Sequence, residues 1–256
     1  MTGETPVPQL LRQVNDMAIS TISTESAATR HSPVHEELEH LRPQWGIVDG
    51  MPVALSLADA AAERSLAQTL GLCDVSALAR VVLKGPAAAG LLAGQQIAVP
   101  GDMYAIAPLG QGGLIVRTGG AEFFLEDGIA GQTVAQVVAA VGTTTPGCYR
   151  VLRQDASFLL SGKRAAELFL QTCNFDFRQP PKQLVMTRMV GVSCSIVHRE
   201  LNGIGAFQVW CDGTYGAYLW HTLLEIVREL NGDAVGIAAF FPELVRSADV
   251  AAKEGT

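Results

Sequence analysis

Apolar positions recur along this chain with two periods, about 3.6 residues in some segments and two residues in others. The helical period predicts helices over 57–70, 87–92, 132–141 and 215–230. Short runs rich in β-branched and aromatic residues predict strands over 79–84, 104–108, 114–118, 121–125, 184–198 and 206–211. Residues 33–52 mix charge and proline, which predicts an ordered but irregular entry to the fold. Helices and strands interleaved in this way predict an α+β fold.

One local order of elements occurs twice. Residues 83–92 and 160–169 each contain a strand end, a glycine turn at Gly85 or Gly162, and the start of a helix. An Asp-x-Ser triplet precedes each glycine, 11 residues upstream in the first unit (85 − 74) and 7 in the second (162 − 155). The repeat predicts a pseudo-duplicated domain. We expect a flexible or partner-bound N-terminal arm over 1–31 and a C-terminal tail over 242–256. Between them we expect a first half over 32–148 and a second half over 149–241.

Composition narrows the class of protein. The 256 residues include 18 Lys and Arg against 25 Asp and Glu, a net charge of −7, and lack the basic cluster of a nucleic-acid binder. No apolar run reaches the roughly 20 residues of a membrane span, and we expect no signal peptide. Charged residues make up only 17% of the chain and hydrophobic residues 48%, which predicts a surface partly covered by another protein.

The cysteines indicate a reducing compartment. Their odd number and the absence of a Cys-x-x-Cys pair favour neither a zinc cluster nor a disulfide framework. Reduced core thiols and a cytoplasmic location are therefore expected. The five positions are Cys73, Cys148, Cys173, Cys194 and Cys211.

The usual catalytic motifs are absent from the sequence. There is no dinucleotide-binding glycine motif, P-loop, zinc-protease helix or nucleophile elbow. The glycine cluster at 110–113 has the composition of a phosphate-binding loop, but it links two predicted strands, which is more typical of a hairpin turn. His31 and His35 have the spacing of a metal-binding pair, but Pro33 interrupts the helix that would align them.

The remaining histidines and aromatic residues favour structural roles. His198 is expected at a solvated turn, and His221 as a packed or capping side chain. A ligand-stacking surface and the protein core are both compatible with the spacing of Trp210, Tyr218 and Trp220, and the core is the commoner place for such residues.

Five segments of the second half resemble the γ subunit of heterotetrameric sarcosine oxidases. They occur in the expected order between residues 150 and 236. The segments are Gln-Asp-Ala-Ser at 154–157, Leu-Ser-Gly at 160–162, Cys-Asn-Phe-Asp-Phe at 173–177, the stretch 185–197, and Thr-Tyr-Gly-Ala-Tyr-Leu-Trp at 214–220.

The first half resembles the wider aminomethyltransferase superfamily, which includes the T protein of the glycine cleavage system. The similar segments lie at 32–37, 49–53, 63–64, 71–76 and 84–86. The resemblance implies a folate-binding-type α+β fold of two similar β/α halves, with the C-terminal barrel of the T proteins absent. A partial similarity at 146–149 to iron–sulfur-repair relatives lacks their signature lysine.

One departure from the T-protein pattern bears on catalysis. T proteins carry an acidic pair directly after a Gly-Gly-apolar-apolar stretch, and its first Asp serves the folate-dependent chemistry. Here the stretch is 112–115, and the two acidic positions are Val116 and Arg117. Valine can neither orient an amine nor accept a proton. The nearest acids are Asp102, Glu122, Glu126 and Asp127.

The resemblance therefore implies a non-catalytic γ-type subunit of a multisubunit flavin-dependent N-methyl amino acid oxidase or demethylase. Larger flavoprotein subunits would hold FAD, FMN, NAD and tetrahydrofolate, and this chain would supply no catalytic, cofactor-binding or metal-binding residue. No nucleic-acid or membrane partner is expected. The alternative is a stand-alone tetrahydrofolate-dependent aminomethyl or methyl transferase with a relocated acid. A third possibility is a folate-sensing or structural protein without an enzyme partner.

Overall fold

A computed structural model describes residues 30–142 and 145–245. The predicted N-terminal arm lies outside the described residues except for Arg30 and His31, as does most of the predicted tail. The helices are α1 His35–Glu39, α2 Ala60–Thr69, α3 Ala88–Gly94, α4 Thr133–Val141, α5 Ala165–Thr172 and α6 Gly216–Glu229. The strands are β1 Gln44–Val48, β2 Met51–Ser56, β3 Gly71–Asp74, β4 Arg80–Lys84, β5 Ile106–Pro108, β6 Leu114–Gly119, β7 Glu122–Glu126, β8 Tyr149–Leu152, β9 Ala156–Ser161, β10 Val185–Met189, β11 Val192–Leu201, β12 Ile204–Cys211 and β13 Asp233–Ala234.

The strands form three sheets. A five-stranded sheet has the order β5-β6-β7-β4-β8, a six-stranded sheet the order β10-β11-β12-β9-β3-β13, and β1 pairs with β2. All neighbours are antiparallel except β13 and β3. Within residues 30–142 and 145–245 no sheet closes into a barrel.

The two large sheets pack face to face, and helices cover their outer faces. On the six-stranded sheet, Trp220 of α6 lies against Phe158 of β9, with ring centroids 5.4 Å apart. Phe169 of α5 meets Phe207 of β12 at 4.9 Å. The order of layers is therefore helix, sheet, sheet, helix.

Alternation along the strands of the five-stranded sheet produces its two apolar faces. The outer face packs against α3 and α4, and the inner face meets Val197 and Trp210 of the other sheet. The outer residues include Val81, Leu83, Ile115, Phe123 and Leu125, and the inner residues include Val82, Leu114, Val116 and Phe124.

The predicted helices are all present, with small shifts at their ends. The largest shift is at α2, which begins at Ala60 rather than at residue 57. Asp59 caps the helix by accepting hydrogen bonds from the N–H groups of Ala61 and Ala62, at 2.9 and 3.3 Å. An aspartate in that position marks the start of a helix because it satisfies N–H groups that have no partner inside the helix.

The predictions for two segments are wrong. The segment 184–198 is two strands, because Val190 and Gly191 form a two-residue turn with φ of 42° and 89° between β10 and β11. The segment 33–52 contains α1 and a hairpin rather than irregular structure. Asp49 and Gly50, with φ of 49° and 72°, connect β1 to β2. Positive φ at both central residues is the geometry that matches the twist of a hairpin.

The two sequence units with a central glycine have the same local structure. β4 leads through Gly85 into α3, and β9 leads through Gly162 into α5, with glycine φ values of 116° and 93°. The sheets nevertheless cross the predicted boundary at residue 148. β3 belongs to the six-stranded sheet and β8 to the five-stranded sheet, so each half contributes to both.

None of the helices in the described part of the chain combines the length and the apolar character needed to cross a lipid bilayer.

Candidate functional site

The two large sheets enclose a cavity of about 170 Å³, which we call the intersheet cavity. β4, β6 and β7 supply one wall, and β10, β11 and β12 supply the other. Its lining residues are Val82, Val116, Thr118, Glu122, Phe124, Arg153, Leu184, Met186, Ser195 and Trp210. The cavity is a candidate site because it contains one of the two positions where the T-protein pattern has an acid.

Val116 and Arg117 point to opposite sides of β6, as adjacent strand residues do. Val116 is fully buried and lines the intersheet cavity. Arg117 stacks over the Phe123 ring on the outer face, 5.6 Å from its centroid. Its guanidinium donates hydrogen bonds to the carbonyl oxygens of Gly101 and Gly120, at 2.5 and 2.6 Å. The arginine therefore holds two loops, and the valine alone faces the candidate site.

Among the residues that the structure describes, Glu122 is the one acid that lines the intersheet cavity with Val116. Its Oε2 lies 2.8 Å from Lys84 Nζ, and its Oε1 accepts a hydrogen bond of 2.9 Å from the Thr118 hydroxyl. Burial opposes ionisation, but the bonds from Lys84 and Thr118 outweigh it and lower the pKa of Glu122. The carboxylate is thus held ionised, able to attract a cation and poorly suited to accept a proton near pH 7.

Arg153 lines the cavity near Glu122. Its Nε and Nη2 pair with the buried Asp155 carboxylate at distances down to 2.6 Å. The hydrogen bond to Asp155 raises the pKa of Arg153. Asp155 begins the second Asp-x-Ser triplet, so this part of the repeated motif holds the Arg153 guanidinium at the cavity.

The two Asp-x-Ser triplets meet in space where β3 pairs with β9. Asp74 Oδ1 accepts a hydrogen bond of 3.1 Å from the Ser76 N–H. Ser76 Oγ in turn accepts one of 3.0 Å from the N–H of Ser157. The first triplet therefore fixes a turn, and it anchors the second triplet to the same end of the sheet.

Trp210 and Phe124 form the aromatic part of the cavity. Their ring centroids are 5.2 Å apart in an edge-to-face arrangement, and both residues are buried. Trp210 Nε1 donates a hydrogen bond of 2.7 Å to Glu126, which fixes the orientation of the indole. Trp220 is in the core on the far side of the six-stranded sheet, and Tyr218 is exposed on α6.

Glu126 is a fully buried carboxylate between the two sheets. Gln208 Nε2 donates to its Oε1 at 2.8 Å. Arg80 Nε lies 3.2 Å from Oε2, and Arg199 Nη1 lies 3.5 Å from Oε1. Arg199 also donates to the carbonyl of Gly112, in the glycine turn that connects β5 to β6. Glu126 is therefore committed to joining the sheets and does not line the cavity.

The other two acids near the expected position are also outside the intersheet cavity. Asp102 is exposed in a loop. Asp127 binds the N-terminus of α4, accepting hydrogen bonds from the N–H groups of Thr133 and Val134 at 3.2 and 2.9 Å. Burial raises the pKa of Asp127, although those hydrogen bonds act to lower it. Neither acid replaces the carboxylate absent at Val116.

The histidines lie away from the intersheet cavity. His31 and His35 do approach each other, with ring centroids 4.3 Å apart, but His35 also packs on Trp45. In residues 30–142 and 145–245, no three histidine, cysteine or acidic side chains cluster as metal ligands would. The predictions for His198 and His221 are wrong. His198 is half-buried in β11 rather than in a solvated turn, and His221 is exposed on α6, 3.3 Å from Glu225.

All five cysteines are free, and four of them are buried, as expected for core thiols. Cys194 and Cys211 are direct partners across β11 and β12. Burial raises the pKa of both thiols to about 12, so they are protonated near pH 7. Protonated, buried thiols are poor nucleophiles.

Sequence reasoning missed Arg153, Ser195, Leu184 and Met186 as cavity residues. Leu184, Met186 and Ser195 lie within a predicted strand, whereas Arg153 lies in a segment for which no strand is predicted. They meet Val116 only because two sheets built from distant segments pack together, which no local motif reports.

The fold is similar to that of an aminomethyltransferase and to that of a sarcosine oxidase chain. The chain aligns over 82% of its length with the glycine cleavage system aminomethyltransferase T from Bartonella henselae, with a TM-score of 0.63 and 16% sequence identity. It also aligns over 78% of its length with a chain of the heterotetrameric sarcosine oxidase from Corynebacterium sp. U-96, solved with pyrrole 2-carboxylate, with a TM-score of 0.56 and 17% identity. The expected resemblance to both is confirmed at the level of fold.

The matched lengths of the two relatives differ. The chain spans 60% of the aminomethyltransferase chain and 95% of the sarcosine oxidase chain. No protein-family model matches the sequence. No curated protein matches it either.

Proposed function

We propose that this chain is a non-catalytic γ-type subunit of a multisubunit flavin-dependent N-methyl amino acid oxidase or demethylase. The observation that supports it most directly is Val116, fully buried in the wall of the intersheet cavity. An aliphatic side chain there offers no group that orients an amine or takes up a proton. The carboxylate of Glu122, which also lines the cavity, is neutralised by Lys84 and has a lowered pKa.

The lengths of the two structural relatives also favour this proposal. The alignment leaves 40% of the aminomethyltransferase chain unmatched but covers nearly the whole sarcosine oxidase chain. A single accessory subunit of that complex is therefore a better template for this chain than a complete transferase.

Exposed apolar side chains support a protein partner. β8 is the last strand of the five-stranded sheet, and Tyr149 and Leu152 on it are 65% and 68% exposed. An open strand edge with large apolar side chains is a typical site of association. On this proposal the larger flavoprotein subunits cover that edge.

The same proposal assigns the cofactors, the compartment and the two-part build of the chain. FAD, FMN, NAD and tetrahydrofolate belong to the partner subunits, and the complex works in the cytoplasm. The matching units β4–Gly85–α3 and β9–Gly162–α5 support a chain built of two similar β/α halves.

The test is purification of the tagged chain from its source under gentle conditions, followed by native mass spectrometry and a visible spectrum. We expect larger subunits to copurify with the chain, and the sample to show a flavin absorption band at about 450 nm. Addition of an N-methyl amino acid without oxygen should bleach that band. A colourless chain recovered alone, or only with itself, contradicts the proposal.

A second candidate is a stand-alone tetrahydrofolate-dependent aminomethyl or methyl transferase. The observation that favours it is Glu122, a carboxylate that shares the cavity with Val116. It predicts that the isolated chain binds tetrahydrofolate and that Glu122→Gln abolishes turnover. Absence of tetrahydrofolate binding by the isolated chain removes this candidate.

A further inference from the structure

The intersheet cavity has charged groups at its mouth and an apolar floor. The side chains of Glu122 and Arg153 are 31% and 43% exposed, so solvent and solutes reach them. Val116, Trp210 and Leu184 are buried below them. A molecule that fits must have polar ends at the mouth and an apolar portion below.

Both charged groups retain hydrogen-bonding capacity. Among the described residues, Arg153 pairs with Asp155 through Nε and Nη2, which leaves the N–H groups of Nη1 available. Each oxygen of Glu122 accepts one bond, from Thr118 or Lys84, and a carboxylate oxygen can accept a second. The mouth can therefore donate to an anionic group and accept from a cationic one.

The net charge of the mouth narrows the choice of ligand. Lys84 balances Glu122, and Asp155 balances Arg153. A simple cation or a simple anion would meet one favourable and one unfavourable partner. A zwitterion, which is neutral overall but has separated charges, meets a favourable partner at each end.

We propose that the intersheet cavity binds a zwitterionic α-amino acid that has an apolar substituent. Its ammonium group lies at Glu122, its carboxylate at Arg153 Nη1, and its substituent on the floor formed by Val116, Phe124 and Trp210. A volume of about 170 Å³ suits a ligand of this size. The substituent is either an N-methyl group or an apolar side chain, and the same three contacts serve both. The site belongs to this chain alone and does not require a flavoprotein partner.

The experiment titrates the isolated full-length chain with N-methylglycine and with leucine. Isothermal calorimetry measures affinity, and tryptophan fluorescence reports on Trp210. The matched probes for each amino acid are its amide and its N-acetyl derivative, since each lacks one of the two charges. We expect at least one amino acid to bind, and both matched probes to bind about tenfold more weakly or not at all. The better ligand of the two amino acids identifies the position of the substituent. Binding of neither amino acid, or equal binding of the better amino acid and its two derivatives, overturns the proposal.

Two variants test the geometry with the better amino acid. Glu122→Gln removes the acceptor charge and should weaken binding about tenfold. Ser195→Leu fills the cavity while it keeps Glu122 and Arg153, and should abolish binding. Glu167→Gln, which breaks the Arg164 ion pair on α5 outside the cavity, is the matched control and should bind as wild type. Thermal unfolding confirms that each variant is folded. Unchanged binding in either cavity variant overturns the proposal even if the flavoprotein partner is found.

Discussion

Gly162 shows how one residue without a side chain sets the path of the chain. It adopts φ of 93°, a conformation that other residues adopt at a cost. A Cβ atom there would lie 2.5 Å from the carbonyl oxygen of Thr69. The same carbonyl accepts a hydrogen bond from the N–H of Arg164, so it cannot move without loss.

Replacement of Gly162 by alanine should therefore combine backbone strain with a steric clash. We expect a loss of about 2–5 kcal/mol in the free energy of unfolding, measured by urea titration. The matched control is Gly191→Ala, where φ is 89° and no atom lies within 4 Å of the added Cβ. That variant should lose only about 1–2 kcal/mol. Equal losses in the two variants would contradict the role of the clash.

His198 predicts a pH dependence at a single residue. Burial in β11 against Phe207 lowers its pKa below the ordinary value of 6.5, and Glu200 only partly opposes that effect. Below pH 6.5 the unfolded chain therefore binds more protons at this position than the folded chain. Stability should fall as the pH drops from 7.5 to 5, and His198→Gln should reduce the fall.

The wild-type chain is the reference for the His198→Gln variant. Urea titrations at several pH values between about 5 and 7.5 measure the slopes. A His198→Gln slope equal to that of the wild type would show that the folded chain does not resist protonation at this residue.

At the level of elements, a buried polar cluster joins the two large sheets. Glu126 on β7 contacts Arg80 on β4 of its own sheet, and Arg199, Gln208 and Trp210 on β11 and β12 of the other sheet. Removal of one charge from such a cluster leaves the opposite charges buried without a counter-ion.

Glu126→Gln should destabilise the protein by about 3–5 kcal/mol, although it keeps the shape of the side chain. Glu167→Gln on the surface of α5 is the control and should leave stability close to that of the wild type. Urea titration with near-ultraviolet circular dichroism measures the change and reports on Trp210. A loss as small as that of the control would show that the cluster adds little to the contact between the sheets.

Most of the helices and about half of the strands were predictable from local patterns, and the exceptions have physical causes. The helices follow from amphipathic spacing, whereas the turn between β10 and β11 contains Val190, a residue that rarely adopts positive φ. β8 was missed because all four of its residues are exposed and produce no alternation of buried and exposed positions. The sequence showed that Val116 stands where the T-protein pattern has an acid. It did not show that Arg153 lies near Glu122, because that depends on the sheet order in which β4 pairs with both β7 and β8.

At the level of the whole molecule, the exposed edge at β8 predicts where a partner binds. Leu152 is 68% exposed, so Leu152→Asp should change the free energy of unfolding by less than about 0.5 kcal/mol. The same charge at an apolar interface should reduce recovery of the proposed larger subunits about tenfold or more in affinity purification.

Leu170→Asp is the matched control for Leu152, because Leu170 is 59% exposed on α5, which covers the outer face of the other sheet. That variant should recover the partner as well as the wild type does. Equal recovery with Leu152→Asp would place the partner on another surface of the molecule.

Both large sheets end in strands with exposed apolar side chains, Leu152 on β8 and Met186 on β10. If the proposed flavoprotein partner covers these strands, a newly synthesised copy without that partner would expose two strand edges that can associate with other chains. Chaperones and proteases recognise such surfaces, so an orphan copy should be short-lived. We therefore expect the cellular amount of this chain to follow the amount of its partner rather than its own rate of synthesis.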